Sequence, residues 1–152
     1  EIFEGMTFTV NSISQTTGSF DSYGLNYSNG SLKIALASDS NAKGYDNKRF
    51  ASTFSLDTLD IDVGVLYQTT KKLSTGISEN GHVISVKKNV FEKGSIYYQT
   101  SSSDIKLESG EQNSLGYTHK ISKVSKVFIH ASNLESDTKN VDYISVGFEY
   151  KF

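Results

Sequence analysis

Asp60 and Asp62 stand two residues apart in the segment "LDIDVGVLYQ". If that segment is a strand, both carboxylates leave the same face. Acidic side chains lining a watery passage would favour cations; the plainer reading is wall polarity balanced by Lys33, Lys120 or Lys151. Other reactive residue types are scattered. His82, His119 and His130 lack the His-x-x-x-His spacing of a metal site, and they read as wall or interface histidines. There is no Gly-x-Ser-x-Gly elbow and no phosphate loop. The chain has no Cys, which removes disulfides and thiolate metal sites. We therefore expect no catalytic residue, no metal, no cofactor and no enzyme activity.

The elements that hold these residues follow from composition and periodicity. The 152 residues carry a formal net charge of -2 and a pI near 5.9, so the chain has no basic footprint for nucleic acid. Hydrophobic residues make up 36% and mean hydropathy is -0.37. No apolar run approaches the about 20 residues of a membrane helix. Period-2 alternation, by contrast, is nearly everywhere. In "VDYISVGFEYKF" (141–152), Ile144, Val146, Phe148, Tyr150 and Phe152 share one face, and Tyr143, Ser145, Gly147, Glu149 and Lys151 share the other.

Ten such segments are predicted: 5–14, 20–28, 31–38, 49–57, 59–68, 82–90, 95–102, 113–121, 126–134 and 141–152. Asn29-Gly30 is a two-residue hairpin signal. Turns after the second, fourth, sixth and eighth segments are short. The connections 39–48, 69–81 and 103–112 are long and polar, and 135–140 is intermediate. Segments of about ten alternating residues, with short turns at one end and longer loops at the other, are the pattern of a transmembrane barrel. Both termini then lie at the short-turn end.

Three features set the apolar face towards lipid rather than towards a soluble core. Lys33, Asp60, Asp62, Lys120, Glu149 and Lys151 fall on the opposite face, several in mid-strand, and a watery lumen tolerates them. Tyr and Phe recur near strand ends, as in interfacial girdles. Low mean hydropathy with strong alternation is expected when half of each strand meets lipid. The fold class predicted is thus all-β: a transmembrane, antiparallel, up-and-down β-barrel spanning 1–152 as one domain. Two alternatives stay open. One is a small plugged barrel with structural or adhesive loops, its lumen blocked by Tyr97, Phe128 and Tyr143. The other is a soluble ligand-binding β-barrel.

Several stretches resemble the general porins of Gram-negative outer membranes. "DYISVGFEYKF" resembles their last strand. "LGYTHKISKVSKVFIHAS" (115–132) resembles their penultimate hairpin, with His119, Ile121 and Val124 where Tyr, Leu and Arg are usual. "YGLNYSNGSLKIALAS" (23–38) resembles a mid-barrel hairpin. "EIFEGMTFTV" (1–10) resembles a turn entering a strand, with Ile2 where Pro is common. Placed so, the ten segments match the last ten of a sixteen-stranded porin. The first six strands and the constriction loop have no counterpart, and the start at Glu1 favours a fragment of a longer porin over a reduced barrel. The resemblance implies bacterial outer-membrane localisation and passive diffusion of small solutes and ions. It implies a lumen lined by Lys33, Asp60, Asp62, Tyr97, Lys120, Glu149 and Lys151. Phe148, Tyr150 and Phe152 become lipid-facing residues and an assembly signal. Implied partners are membrane lipid, lipopolysaccharide, the barrel-assembly machinery and a homotrimer. Loop carboxylates such as Asp39, Glu79 and Glu108 are expected to be solvated, with divalent cations between lipopolysaccharide head groups as the alternative.

Overall fold

A computed structural model describes residues 4–15, 18–104 and 110–151. Ten strands follow one another in a single antiparallel meander: β1 (Met6–Gln15), β2 (Gly18–Asn29), β3 (Leu32–Ala42), β4 (Tyr45–Leu56), β5 (Ile61–Lys72), β6 (Ser78–Val90), β7 (Gly94–Ser103), β8 (Gly110–Lys120), β9 (Ser125–Ser136) and β10 (Asn140–Tyr150). Each strand pairs only with its sequence neighbours, so β1 and β10 are the two edges, and the described sheet does not close on itself. A closing partner for β10 is therefore not among the described strands.

Alternation places the apolar side chains on one face; the register shift in the β3–β4 pairing, between Asp39 and Ala42, lies beyond the apolar band. Leu25 lies opposite Leu36, which lies opposite Phe50, and that opposite Tyr67. Val86, Tyr98, Leu115, Ala131 and Ile144 continue the face across β6 to β10. Among the described residues no element covers this face, and no apolar side chain is buried. The side chains that are buried are Thr70, Ser114 and Ser132, all on the opposite face. A soluble barrel hides its apolar residues and wets its polar ones; this sheet does the reverse. An exposed apolar face this extensive needs a covering from outside the chain.

The apolar band drifts along the strands in a way that sets their tilt. On β1 it is centred on Phe8, between Met6 and Val10. Following the pairings from Phe8 through Leu25, Leu36, Phe50, Tyr67, His82, Ser102, Glu111 and Glu135 leads to Asn140 on β10. The β10 band instead runs from Ile144 to Tyr150 and is centred near Gly147, seven residues further on. With about 3.3 Å per residue and about 4.8 Å per strand step, seven residues over nine steps is a tilt of roughly 30°. That is close to the inclination of strands in membrane barrels, about 35–45°. A level apolar belt around tilted strands accounts for the drift.

Strands reach further than the apolar pattern alone predicts. The connections expected at 39–48, 69–81 and 135–140 shrink to 43–44, 73–77 and 137–139. Residues such as Ser40, Asn47, Thr70 and Asn80 continue the ladder beyond the apolar belt. Backbone pairing has no need of side-chain hydrophobicity, so polar strand extensions are invisible to a hydrophobic period. The connections at the other end, expected to be the short ones, are 30–31, 57–60, 91–93 and 121–124; as a group they are no shorter than 43–44 and 137–139, so the expected contrast in connection length is not general. At 30–31, Gly30 has φ 53, and Asn29 already pairs with Leu32. The hairpin is thus centred one residue later than Asn29-Gly30.

Candidate functional site

The polar face is the surface on which the chain's chemistry can act. Register assigns its members directly, because each charged residue sits one position from an apolar neighbour on the other face. Lys33, Lys87, Lys120 and Glu149 are on it, as is Asp62; Lys151, just past the end of β10, has the same parity. Tyr97 is on it too, opposite Gly116. Phe148 and Tyr150 are on the apolar face and exposed. Phe152 lies outside the described residues.

Asp60 is not where the alternation puts it. Asp57–Leu59 forms a single 3-10 turn, and Asp60 ends it in the left-handed conformation with φ 53. Its N–H is held by the Asp57 carbonyl at 3.3 Å, and its carbonyl accepts from Asn89 N–H at 2.9 Å. The strand begins only at Ile61, so the two aspartates share no strand face and make no acidic pair. Short polar side chains such as Asp tolerate this backbone, so Asp60 serves the turn. Asp62 in turn is occupied on the wall: it accepts from Ser55 Oγ at 2.7 Å and meets Lys87 Nζ at 3.2 Å. Both partners of that ion pair are more than a third exposed. Asp62→Asn is therefore expected to change stability by under about 1 kcal/mol. A urea titration of the refolded protein measures this, and a larger loss would mean the pair does more than neutralise charge.

The face carries more cations than the chain's overall charge suggests. Lys33, Arg49, Lys72, Lys87, Lys120, Lys126 and Lys151 project from it, against Asp39, Asp62, Glu79 and Glu149. Seven cations and four carboxylates leave it at +3, while the whole chain is at -2. Sequence reasoning missed Arg49, Lys72, Lys87 and Lys126. Their immediate neighbours on the apolar face, such as Phe50 and Val127, were the available signal. Much of the remaining polarity is knitted across strands. Arg49 Nε donates to Gln68 Oε1 at 2.9 Å, Gln68 to Thr70 at 3.1 Å and Thr70 to Asn47 at 2.8 Å. Ser114 and Ser132 share a 2.7 Å hydrogen bond. Leu66 and Val83, opposite each other, are an apolar exception.

Large side chains on this face are laid onto glycine. The Tyr97 ring occupies the space that a Cβ on Gly116 would fill, and the Phe128 ring does the same over Gly147. His130 stacks on Phe128 with centroids 6.3 Å apart and meets Tyr143 edge-on at 6.1 Å. The Tyr143 hydroxyl accepts from Gln112 Nε2 at 2.9 Å. Three residues expected to plug a small barrel are thus drawn along the wall. On the other face, tyrosine hydroxyls mark the edge of the apolar belt: Tyr67 and Tyr98 donate to Asn80 and Asn113, each at 2.9 Å. An apolar ring with a wet hydroxyl suits a membrane interface.

The three histidines are dispersed. His82 and His119 are on the apolar face of β6 and β8, and His130 is on the polar face of β9. Among the described residues no three His, Asp or Glu side chains are grouped to hold a metal ion.

An uncovered apolar face, a charged polar face and a roughly 30° tilt together narrow the architecture, and comparison with solved structures decides it. The anion-selective porin of Comamonas acidovorans superposes with a TM-score of 0.77 at 18% identity, over 99% of this chain and 57% of that one. The fold is that of a porin wall. A loop L8 deletion mutant of OmpT, an outer membrane protein of Vibrio cholerae, gives a TM-score of 0.74 at 13% identity, over 97% of this chain and 59% of that one. The chain therefore spans less than two thirds of the length of either neighbour. No protein-family model and no curated protein sequence matches it. At these identities the porin-type wall is shared as a fold.

Proposed function

We propose that this chain forms wall of a porin-like channel in the bacterial outer membrane, through which small hydrophilic solutes and ions diffuse without catalysis. One observation carries the reading: the sheet exposes its apolar side chains and buries only polar ones among its described residues. Lipid satisfies the first condition and a water-filled lumen the second. The polar face would replace part of a solute's hydration, and its charges would bias which ions pass. In this setting the short turns face the periplasm, and the polar strand extensions face outward among lipopolysaccharide head groups. Phe148 and Tyr150 would then sit at the lower interface, available to the barrel-assembly machinery.

The neighbouring anion-selective porin supports a conducting role. The glycine seats under Tyr97 and Phe128 support an open wall over a plugged one. Reconstitution in planar bilayers is expected to give stepwise conductance, and unheated samples are expected to run faster on detergent gels than boiled ones. A heat-shifted protein that never conducts would move the reading to a plugged barrel with structural or adhesive loops. Absence of the heat shift would remove the membrane reading altogether.

A further inference from the structure

The cations of the polar face are not evenly placed. At the end that carries the 91–93 and 121–124 turns, a row runs from Lys93 in the turn before β7 through Lys120 on β8 and Lys126 on β9 to Glu149 on β10. Lys120 lies directly opposite Lys126, Lys126 opposite Glu149, and the Lys93 carbonyl accepts from the Lys120 N–H at 2.7 Å. Lys151 and Lys123 border the same recess, which has a volume of about 580 Å³. Like charges directly opposite each other on a sheet are destabilising. Here two lysines face each other with one carboxylate nearby, and that carboxylate is bound to Lys126 at 2.8 Å. Lys93, Lys120, Lys123 and Lys151 form no ion pair among the described residues.

We propose that this recess is an anion site at the short-turn mouth, taking the phosphate or carboxylate group of a small solute, and that it makes the passage prefer anions. The channel part of this statement rests on the function proposed above; the site itself does not. Lysines directly opposite each other on adjacent strands, with long flexible side chains, can turn toward one shared oxyanion, which would relieve their repulsion. The recess opens from the polar face, away from Phe148 and Tyr150, so a dissolved anion reaches it more directly than a lipid phosphate. Mobile anions held at one mouth raise their local concentration there, as charge-lined clefts do.

The test uses the full chain and two measurements. Under a KCl gradient in planar bilayers, the reversal potential is expected to show anion preference. The Lys120→Gln/Lys151→Gln variant is expected to lower the chloride-to-potassium permeability ratio by at least roughly fivefold, since each unit charge at contact distance in water is worth about that factor and two are removed. Lys88→Gln, on the opposite face, is expected to leave the ratio unchanged. Separately, tripolyphosphate is expected to protect Lys120 and Lys151 from acetylation in detergent, with Lys88 unprotected. Cation preference, or a ratio unmoved by the double variant, overturns the anion site while the channel stands. Protection without conductance keeps the site and removes the channel. Neither conductance nor protection overturns both.

Discussion

Val146→Arg is expected to destabilise the sheet by about 2–4 kcal/mol in a bilayer, the cost of an arginine on the lipid face near the midplane of a membrane barrel. Val146 is 76% exposed in the chain alone, stands opposite Ile129, and lies near the middle of the β10 apolar run. Its neighbour Ser145 points the other way, opposite His130 on the polar face. Ser145→Arg is therefore expected to cost under about 0.5 kcal/mol, as surface substitutions usually do. Urea unfolding in lipid vesicles measures both. The contrast is the informative quantity: one residue's displacement along a strand reverses the face. Equal penalties at the two positions would mean that lipid does not cover the Ile144–Tyr150 face. A larger penalty at Ser145 would put lipid on the other side.

The same period-2 geometry explains what could be read from sequence and what could not. Ten strands, their order and the two faces followed from alternation, because apolar residues on a single-layer sheet have nowhere to be except the lipid side. Lys33, Asp62, Lys120 and Glu149 fell on the polar face for the same reason. Strand ends were misjudged wherever pairing continued through Ser, Thr and Asn, as at Asn47 opposite Thr70. The placement of Asp60 failed because alternation assumes an unbroken strand. The turn at Asp57–Leu59 consumes the residues that would have carried it, and one left-handed residue resets the phase. The lysine row at the short turns needed the cross-strand register. Lys120 and Lys126 flank one hairpin, but Lys93 and Glu149 are far from it in sequence, and nothing in one strand says which residue of the next it will face.

Register also exposes the glycine seats, and these make the second strong prediction. Gly147→Ala is expected to destabilise by about 1–3 kcal/mol, the usual cost of forcing a methyl into an occupied site. A Cβ there would lie within 2.8 Å of three ring carbons of Phe128, which sits directly opposite on β9. The ring cannot move into the sheet, so it must rotate outward from the polar face, which in the proposed channel is towards the lumen, and its stacking with His130 goes with it. Conductance should therefore fall together with stability. Phe128→Ala alone removes a ring that shields backbone and costs in its own right. The double variant Gly147→Ala/Phe128→Ala should be less damaged than the sum of the two, because the clash has no second partner. A coupling of about 0.5–3 kcal/mol is typical of residues in such contact. The matched pair Gly116 and Tyr97 gives an independent repeat, since a Cβ on Gly116 would come within 2.5 Å of the Tyr97 ring and hydroxyl. Additive penalties at both pairs would show that the rings are not seated on the glycines. Coupling at both would establish that the polar face is kept open by small residues placed one strand away from large ones.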